Sequence, residues 1–328
     1  MGESTTLTTK LTGQTLWQQV EKVTESALAC GALKSIPTHS EIREISYTES
    51  TCDGSTPNNG LFNGGKVNFQ VRVVENLERK TKEVQPPPNT KGPDTKDPNK
   101  KPFNPFLPYE PALYVGELSD HYRCLLNKFN VMNHHILMVT SKFVPQQTPL
   151  NVEDFLAVQI CLQARDGLAF YNGGPIAGAS VKHKHLQLIP LPLSDESTFP
   201  FDKPLSSAAA TDEPSSTALP FPHRLITTNI TDTTSTEALK EAAEINCKNY
   251  HRLLANLKLS VGTDGMMAPH NMLMTRKHLW VVPRTKESHQ GLALNALGFA
   301  GMLLVKDTIQ LGKLDSIGCM ELLKAVTQ

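Results

Sequence analysis

No CxxC pair occurs among the six cysteines (Cys30, Cys52, Cys124, Cys161, Cys247 and Cys319), which excludes a zinc ribbon or knuckle and a thioredoxin-type dithiol. Their scatter is that of free, mostly buried thiols in a reducing compartment, not of a disulfide frame. Charge of one sign is not in excess either: 32 Lys and Arg against 32 Asp and Glu leave no net charge. That argues against a bulk polyanion binder, nucleic acid included, and leaves room for a local basic pocket. Long apolar runs are missing. The nearest, Leu292–Val305, is broken by Asn295, Gly298 and Gly301 and falls short of the roughly 18 residues a membrane span needs. The opening MGESTTLTTK has no apolar h-region for secretion. Gly2 and Thr6 fit the loose myristoylation pattern, but one acyl chain anchors only marginally. The expectation is a soluble cytoplasmic protein, with the nucleus as a second compartment and no membrane partner. Apolar residues make up 39% of the 328, enough for a core and for about two domains or one large one.

The pattern predicts a helix over Thr15–Leu33, with Leu16, Val20, Val23 and Ala27 along one stripe. Val67, Phe69, Val71 and Val73 alternate as in a strand, and Gln85–Asn104 is a Pro- and Lys-rich loop. Strands follow at Ala112–Val115, Arg123–Phe129 and His135–Thr140, then a helix capped by Thr148 and reaching Ala164. Further strands are expected at Leu168–Tyr171, His183–Pro190, Asn271–Thr275 and Leu279–Pro283, with a helix at Thr236–Leu257 and a helical C-terminus. Runs of strands with helices between them point to an α+β fold with a largely antiparallel sheet flanked by helices. The Ser-, Ala- and Pro-rich stretch 191–218 reads as flexible and divides the chain into 1–190 and 219–328.

One segment carries chemistry: Asn172-Gly-Gly-Pro-Ile-Ala-Gly-Ala-Ser-Val-Lys-His183-Lys-His185-Leu-Gln187. On a strand, His183, His185 and Gln187 share one face while Leu186 and Leu188 take the other. Two imidazoles and an amide make a poor core face, because each needs a buried partner. The glycine-rich turn just before them can bring backbone N–H groups close to an anion, and Lys182 and Lys184 add charge nearby. A nucleophilic imidazole beside a phosphate cradle suggests covalent catalysis at phosphorus. The competing reading of HxH is a satisfied structural pair or a metal pair, but no cysteine or acid stands near as a further zinc ligand. Gly60-x-x-x-x-Gly65-Lys66 spells most of a P-loop, yet Val67 replaces the required Ser or Thr and a strand follows where a helix is needed.

The same segment resembles the histidine-triad pattern N-x-G-x-x-A-G-x-S-V-x-H-x-H-x-H, with Gln187 in place of the last His. HxHxQ is the version of two transferase branches, the hexose-phosphate uridylyltransferases and the diadenosine tetraphosphate phosphorylases, also called ATP adenylyltransferases. The segments NPFLPYEPALYVGEL (104–118), LNKFNVMNHHILMVT (126–140), LPFPH (219–223), NMLMTRKHLWVVPR (271–284) and NALGFAGMLLVKD (295–307) all look like the phosphorylases. The likeness therefore runs from the first strand to the end.

The resemblance implies a histidine-triad-like catalytic part, residues 1–190, and an ATP adenylyltransferase part, 219–328, that completes the nucleotide site. It makes His185 the nucleophile on the α-phosphorus, Gln187 a donor to a non-bridging oxygen, and His183 an orienting group. Asn172, Gly178, Ala179, Ser180 and Val181 would hold the α-phosphate, although the family often has Gln where Val181 stands. Asn127 would meet ribose, with Lys128 beside it, and His135 matches the first His of the triad pattern. Asn271, Arg276 and Lys277 would serve the remaining phosphates, and Lys80 sits where the family has a substrate-side lysine. The implied reaction is reversible phosphorolysis of diadenosine tetraphosphate by phosphate to ATP and ADP, by a monomer. A divalent cation, Mg2+ or similar, would arrive with the nucleotide, and no protein metal site is expected. A hydrolase giving ATP and AMP, and a nucleotide-binding sensor with no turnover, are the alternatives.

Overall fold

The computed structural model describes residues 10–47, 65–74, 103–193, 198–208, 219–228, 230, 232 and 235–328. The first elements are α1 (Gly13–Ala29), β1 (Thr38–Tyr47) and β2 (Gly65–Val74). Then come β3 (Tyr114–Glu117), β4 (Tyr122–Leu126), β5 (Ile136–Thr140), α2 (Val152–Ala164), β6 (Gly167–Asn172) and β7 (His185–Pro190). After them stand α3 (Asp202–Ala208), β8 (Arg224–Thr227), α4 (Thr236–Asn256), β9 (His270–Met274) and β10 (His278–Pro283). Two short strands, β11 (Ser288–His289) and β12 (Leu292–Ala293), precede β13 (Met302–Val305), α5 (Thr308–Ile317) and α6 (Cys319–Ala325). The strand at Gly65 disposes of the P-loop, and Lys66 is spent on Glu44 at 2.7 Å.

The main sheet has eight strands in the order β3-β4-β5-β7-β6-β9-β10-β8, every neighbouring pair antiparallel. Strands from before and after 191–218 thus share one sheet. Its residues alternate between two cores. Cys124, Met138, Tyr171, Leu186, Leu188 and Met272 face α1, α2 and α4, while Phe170, Ile189, Leu273 and Trp280 face the small sheet β1-β2-β13 and the C-terminal helices. The expected α+β architecture is the one the chain adopts. Toward β3 the second face carries only a small cluster, Phe106, Leu125, Leu137 and Val139. The histidines of the motif stand beside it.

Four local readings change. β1 went unpredicted, because THSEIREISY is largely charged and polar and stands as a strand through its ten-residue pairing with β2. Helix α2 starts at Val152, not after Thr148. Asn151 accepts from the Glu153 and Asp154 amides, and the Asp154 carboxylate accepts from the Asn151 amide at 2.6 Å, a closed capping box. His183 precedes the regular ladder of β7 and makes only an isolated bridge to Pro145. Part of 191–218 is core: Phe199, Phe201 and Leu205 are buried, and Phe201 meets Phe69 of β2 edge-on at 5.1 Å. Among the described residues no helix is long and apolar enough to cross a membrane.

Two fully buried histidines give the fold an acid limit. His223 donates from Nδ1 to the Phe221 carbonyl at 2.7 Å. His270 donates from Nδ1 to the Ala268 carbonyl and accepts from the Tyr250 hydroxyl, each at 2.8 Å. Burial pushes both down to about 4 from the ordinary 6.5. Between those values the unfolded chain holds more protons, so their contribution is complete above pH 6.5 and is lost as pH falls toward 4. The slope is about 1.4 kcal/mol per pH unit for each histidine. Urea unfolding is expected to show about 2–4 kcal/mol less stability at pH 5 than at pH 7. A flat profile over that range would contradict the burial of both rings.

Candidate active site

β7 lies between β5 and β6, with Val139 opposite His185 and Gln187 between Leu137 and Phe170. Alternation sends Leu186 and Leu188 into the helix-side core and His185 and Gln187 to the other face. Phe106 stands over that face, its ring edge-on to His183 at 5.7 Å and to His185 at 5.3 Å. The three motif side chains are brought together as the spacing predicted.

Hydrogen bonds fix what each ring can do. His185 Nδ1 lies 2.8 Å from the His183 carbonyl, which only accepts, so Nδ1 carries the proton and Nε2 carries the lone pair. The backbone of His185 is clamped by Gln146, whose Oε1 accepts the His185 amide at 2.9 Å. Gln146 Nε2 donates to the His185 carbonyl at 3.1 Å and to the Asn172 carbonyl at 2.9 Å, tying β7 to β6. His183 Nε2 donates to the carbonyls of Thr140 (3.0 Å) and Lys142 (3.1 Å), and Asn104 Nδ2 donates to its Nδ1 at 3.0 Å. Burial lowers the His183 pKa, so the ring is held neutral and oriented.

Gln187 belongs to a relay. Asn127 Nδ2 donates to His135 Nδ1, and His135 Nε2 donates to Gln187 Oε1, each at 3.0 Å. With its oxygen occupied by a donor, the Gln187 amide keeps its NH2 for another acceptor.

The glycine turn is set by the C-terminal half. Gly174 and Gly178 have φ of +94° and +92°, and a Cβ on Gly178 would come within 2.7 Å of the Leu294 carbonyl oxygen. Asn271 donates from Nδ2 to Asn172 Oδ1 and to the Ala177 carbonyl, both at 2.9 Å. Arg284 donates to Asn271 Oδ1 at 2.8 Å and to the Leu294 carbonyl at 3.1 Å. Burial lowers the Arg284 pKa to about 10. The amides of Ala177, Gly178 and Ala179 are consumed within the turn. Among the described residues the Ser180 and Val181 amides have no backbone acceptor, so they are the donors the turn can offer an anion. Asn172 and Asn271, 3% and 0% exposed, therefore build the turn with their side chains. Asn271→Ala is expected to cost about 2–3 kcal/mol in urea unfolding, because it strands Arg284 and Asn172 polar atoms. A loss under about 0.5 kcal/mol would show that the network is dispensable.

The remaining predicted residues are dispersed. Ser180 is exposed at the end of the turn, and Val181 packs on the Phe106 cluster. Lys128 pairs with Glu110 at 3.0 Å. Arg276 donates to the carbonyls of Leu162 (3.0 Å) and Gln163 (3.1 Å) in the last turn of α2 and pairs with Asp232 at 2.6 Å. It lies beyond the far end of β9, whose three steps from Asn271 to Met274 already span about 10 Å at about 3.4 Å per residue. Lys277 belongs to the same turn, its amide bonded to Thr275 Oγ1. The structure brings neither to the histidines. Lys182 is exposed, whereas Lys184, read above as nearby positive charge, is buried on the opposite face. Lys80 lies outside the described residues. Sequence reasoning missed Asn104, Gln146 and Arg284, whose residue types carry no signal until the fold sets them against the motif. Among the described residues no group of three His, Cys, Asp or Glu side chains is arranged to hold a metal.

Comparison with known proteins identifies the family. Residues 56–207 match the Ap4A phosphorylase N-terminal domain, and residues 217–328 match the ATP adenylyltransferase C-terminal domain. The chain is 28% identical over 286 residues to diadenosine 5',5'''-P1,P4-tetraphosphate phosphorylase 2 of Saccharomyces cerevisiae, covering 77% of this chain and 87% of that one. Protein APA1 of the same organism is 27% identical over 240 residues, 68% of this chain and 73% of that one. The fold is shared with the crystal structure of yeast Ap4A phosphorylase Apa2, with a TM-score of 0.67 at 24% identity over 97% of this chain and 95% of that one. Apa2 in complex with Ap4A gives the same score at 23% identity over 97% and 98% of the two chains. The two matched regions meet between residues 207 and 217, inside the stretch that divides the sequence, and both halves contribute to one glycine turn. The chain belongs to the diadenosine tetraphosphate phosphorylase, or ATP adenylyltransferase, family.

Proposed function

We propose that this protein is a nucleotidyltransferase that phosphorolyses diadenosine tetraphosphate with inorganic phosphate to ATP and ADP, reversibly, through an adenylyl-histidine. The observation that carries the reading is the His185 tautomer: Nδ1–H held by the His183 carbonyl leaves the lone pair on Nε2, on the sheet face that also carries Gln187. In the first displacement Nε2 attacks the α-phosphorus, the N–P bond forms, and the P–O bond to the departing ATP breaks. In the second, a phosphate oxygen attacks the same phosphorus, the P–N bond breaks, and ADP leaves with the imidazole restored. Two in-line displacements retain configuration at phosphorus.

In both steps Gln187 donates to the non-bridging oxygen on which charge grows. Ser180 and Val181 offer N–H donors to the α-phosphate, and Asn127 meets the ribose, from where His135 couples it to Gln187. Lys80 and Lys128 serve the substrate as further cations. The divalent cation is carried in on the polyphosphate, whose clustered charge it neutralises, and is held by phosphate oxygens. Four buried thiols among the described residues suit a reducing, cytoplasmic compartment.

The test is incubation of the purified protein with diadenosine tetraphosphate and radiolabelled phosphate. Label in ADP with ATP as co-product is the expected result. Unlabelled AMP with ATP would make water the acceptor, and nucleotide binding with no turnover would make the protein a sensor.

A further inference from the structure

Lys184 stands between the two histidines of the motif yet points away from them. It is 1% exposed, with Nζ 2.6 Å from Asp154 Oδ2 and 3.1 Å from the Pro149 carbonyl. Asp154 is equally buried, in the first turn of α2, where the helix dipole favours a carboxylate. Its second oxygen accepts from the Tyr122 hydroxyl of β4. A buried ion pair is rarely the most stable filling of such a space, since well-packed apolar residues serve as well or better. What a charged pair adds is geometry: Nζ meets Asp154 in one register of the chain only.

From His185 onward the ladders to β5 and β6 hold that register, but the stretch just before them has sparser pairing. Regular pairing of β7 begins at His185, and His183 makes a single isolated bridge. A one-residue shift of this entering stretch would exchange the faces of His183 and Lys184 and displace the His183 carbonyl that holds the His185 ring. Lys184 opposes this through its side chain and through its backbone, whose amide donates to the Val144 carbonyl at 2.7 Å and whose carbonyl accepts from the Thr140 amide at 3.2 Å. The adjoining His183 carbonyl is the group that sets the His185 tautomer. We propose that the buried Lys184–Asp154 pair, completed by the Tyr122 hydroxyl, is a positioning device that locks the register of the His183–His185 segment and so aims the His185 imidazole. Lys184 and Asp154 touch no reacting atom and act through the backbone. The proposal rests on the reading of His185 as the nucleophile.

The test is steady-state kinetics on the full chain, with urea unfolding beside it. Lys184→Met combined with Asp154→Leu removes both charges and keeps the volume apolar. Its urea midpoint is expected below wild type, because Asp154→Leu also opens the Asn151 capping box and leaves the Tyr122 hydroxyl without its acceptor. The chain is expected to fold with KM within about threefold, while kcat falls by about 10- to 100-fold, as a misaimed reacting group would cause. Tyr122→Phe deletes one hydroxyl, and its kcat is expected to fall by about three- to tenfold with KM unmoved and a slightly lower midpoint from the lost hydrogen bond. Wild-type kcat in a folded double variant or in Tyr122→Phe overturns the proposal. If the double variant does not fold, Tyr122→Phe decides by the same criterion. A His185→Ala control separates the two layers: activity in that control sinks the nucleophile reading itself, whereas an inactive control beside fully active pair variants sinks only the positioning role.

Discussion

His185→Ala is expected to lower kcat by about 10⁵-fold or more and to abolish covalent adenylyl labelling, while nucleotide binding stays within a few fold. The asymmetry follows from the hydrogen bonds. The His185 ring is held through Nδ1 by the His183 carbonyl, and its backbone by Gln146, so truncation removes the lone pair and leaves the clamp in place. The glycine turn does not lean on the imidazole either, because it is braced by Asn271 and Arg284. Labelling with α-³²P diadenosine tetraphosphate followed by a quench in alkaline SDS, which spares the acid-labile N–P bond, reads the intermediate directly. A variant that still incorporates label, or that turns over within tenfold of wild type, would move the nucleophile elsewhere.

Gln187→Ala is expected to reduce kcat by about 10²- to 10³-fold, the usual cost of losing one donor to a developing oxyanion. His135→Ala is expected to reproduce part of that loss without touching substrate phosphate. It removes the N–H that holds Gln187 Oε1 and so frees the amide to turn. The double variant would then be little worse than Gln187→Ala alone, since both changes remove one function. Additive losses would show that His135 and Gln187 act independently, and an effect of Gln187→Ala confined to KM would make Gln187 a binding contact alone.

Period-two alternation placed His185 and Gln187 on one face and Leu186 and Leu188 on the other, and the sheet keeps that division. The helix at Thr236 and the strands around residues 270–283 were legible for the same reason: each presents an apolar stripe or run to a buried surface. β1 was not, because its partner strand supplies the order that its composition lacks. Arg276 and Lys277 read as phosphate ligands because they are basic and near a motif asparagine in sequence. Along an antiparallel strand a few residues are a long way, and Arg276 serves the last turn of α2 instead.

The sequence by itself determined which residues stand together: two histidines, a glutamine and a glycine turn occur in one continuous segment, and side-chain alternation needs only local backbone geometry. Only the tertiary structure decided which polar residues are buried and satisfied by the protein itself. Asn172, Asn271, Gln146 and Lys184 are all polar residues within or beside motif segments, yet each is buried and satisfied by groups distant in sequence. A buried polar group must find a partner, and that partner, Arg284 for Asn271 or Asp154 for Lys184, is chosen by packing across the sheet, not by spacing along the chain.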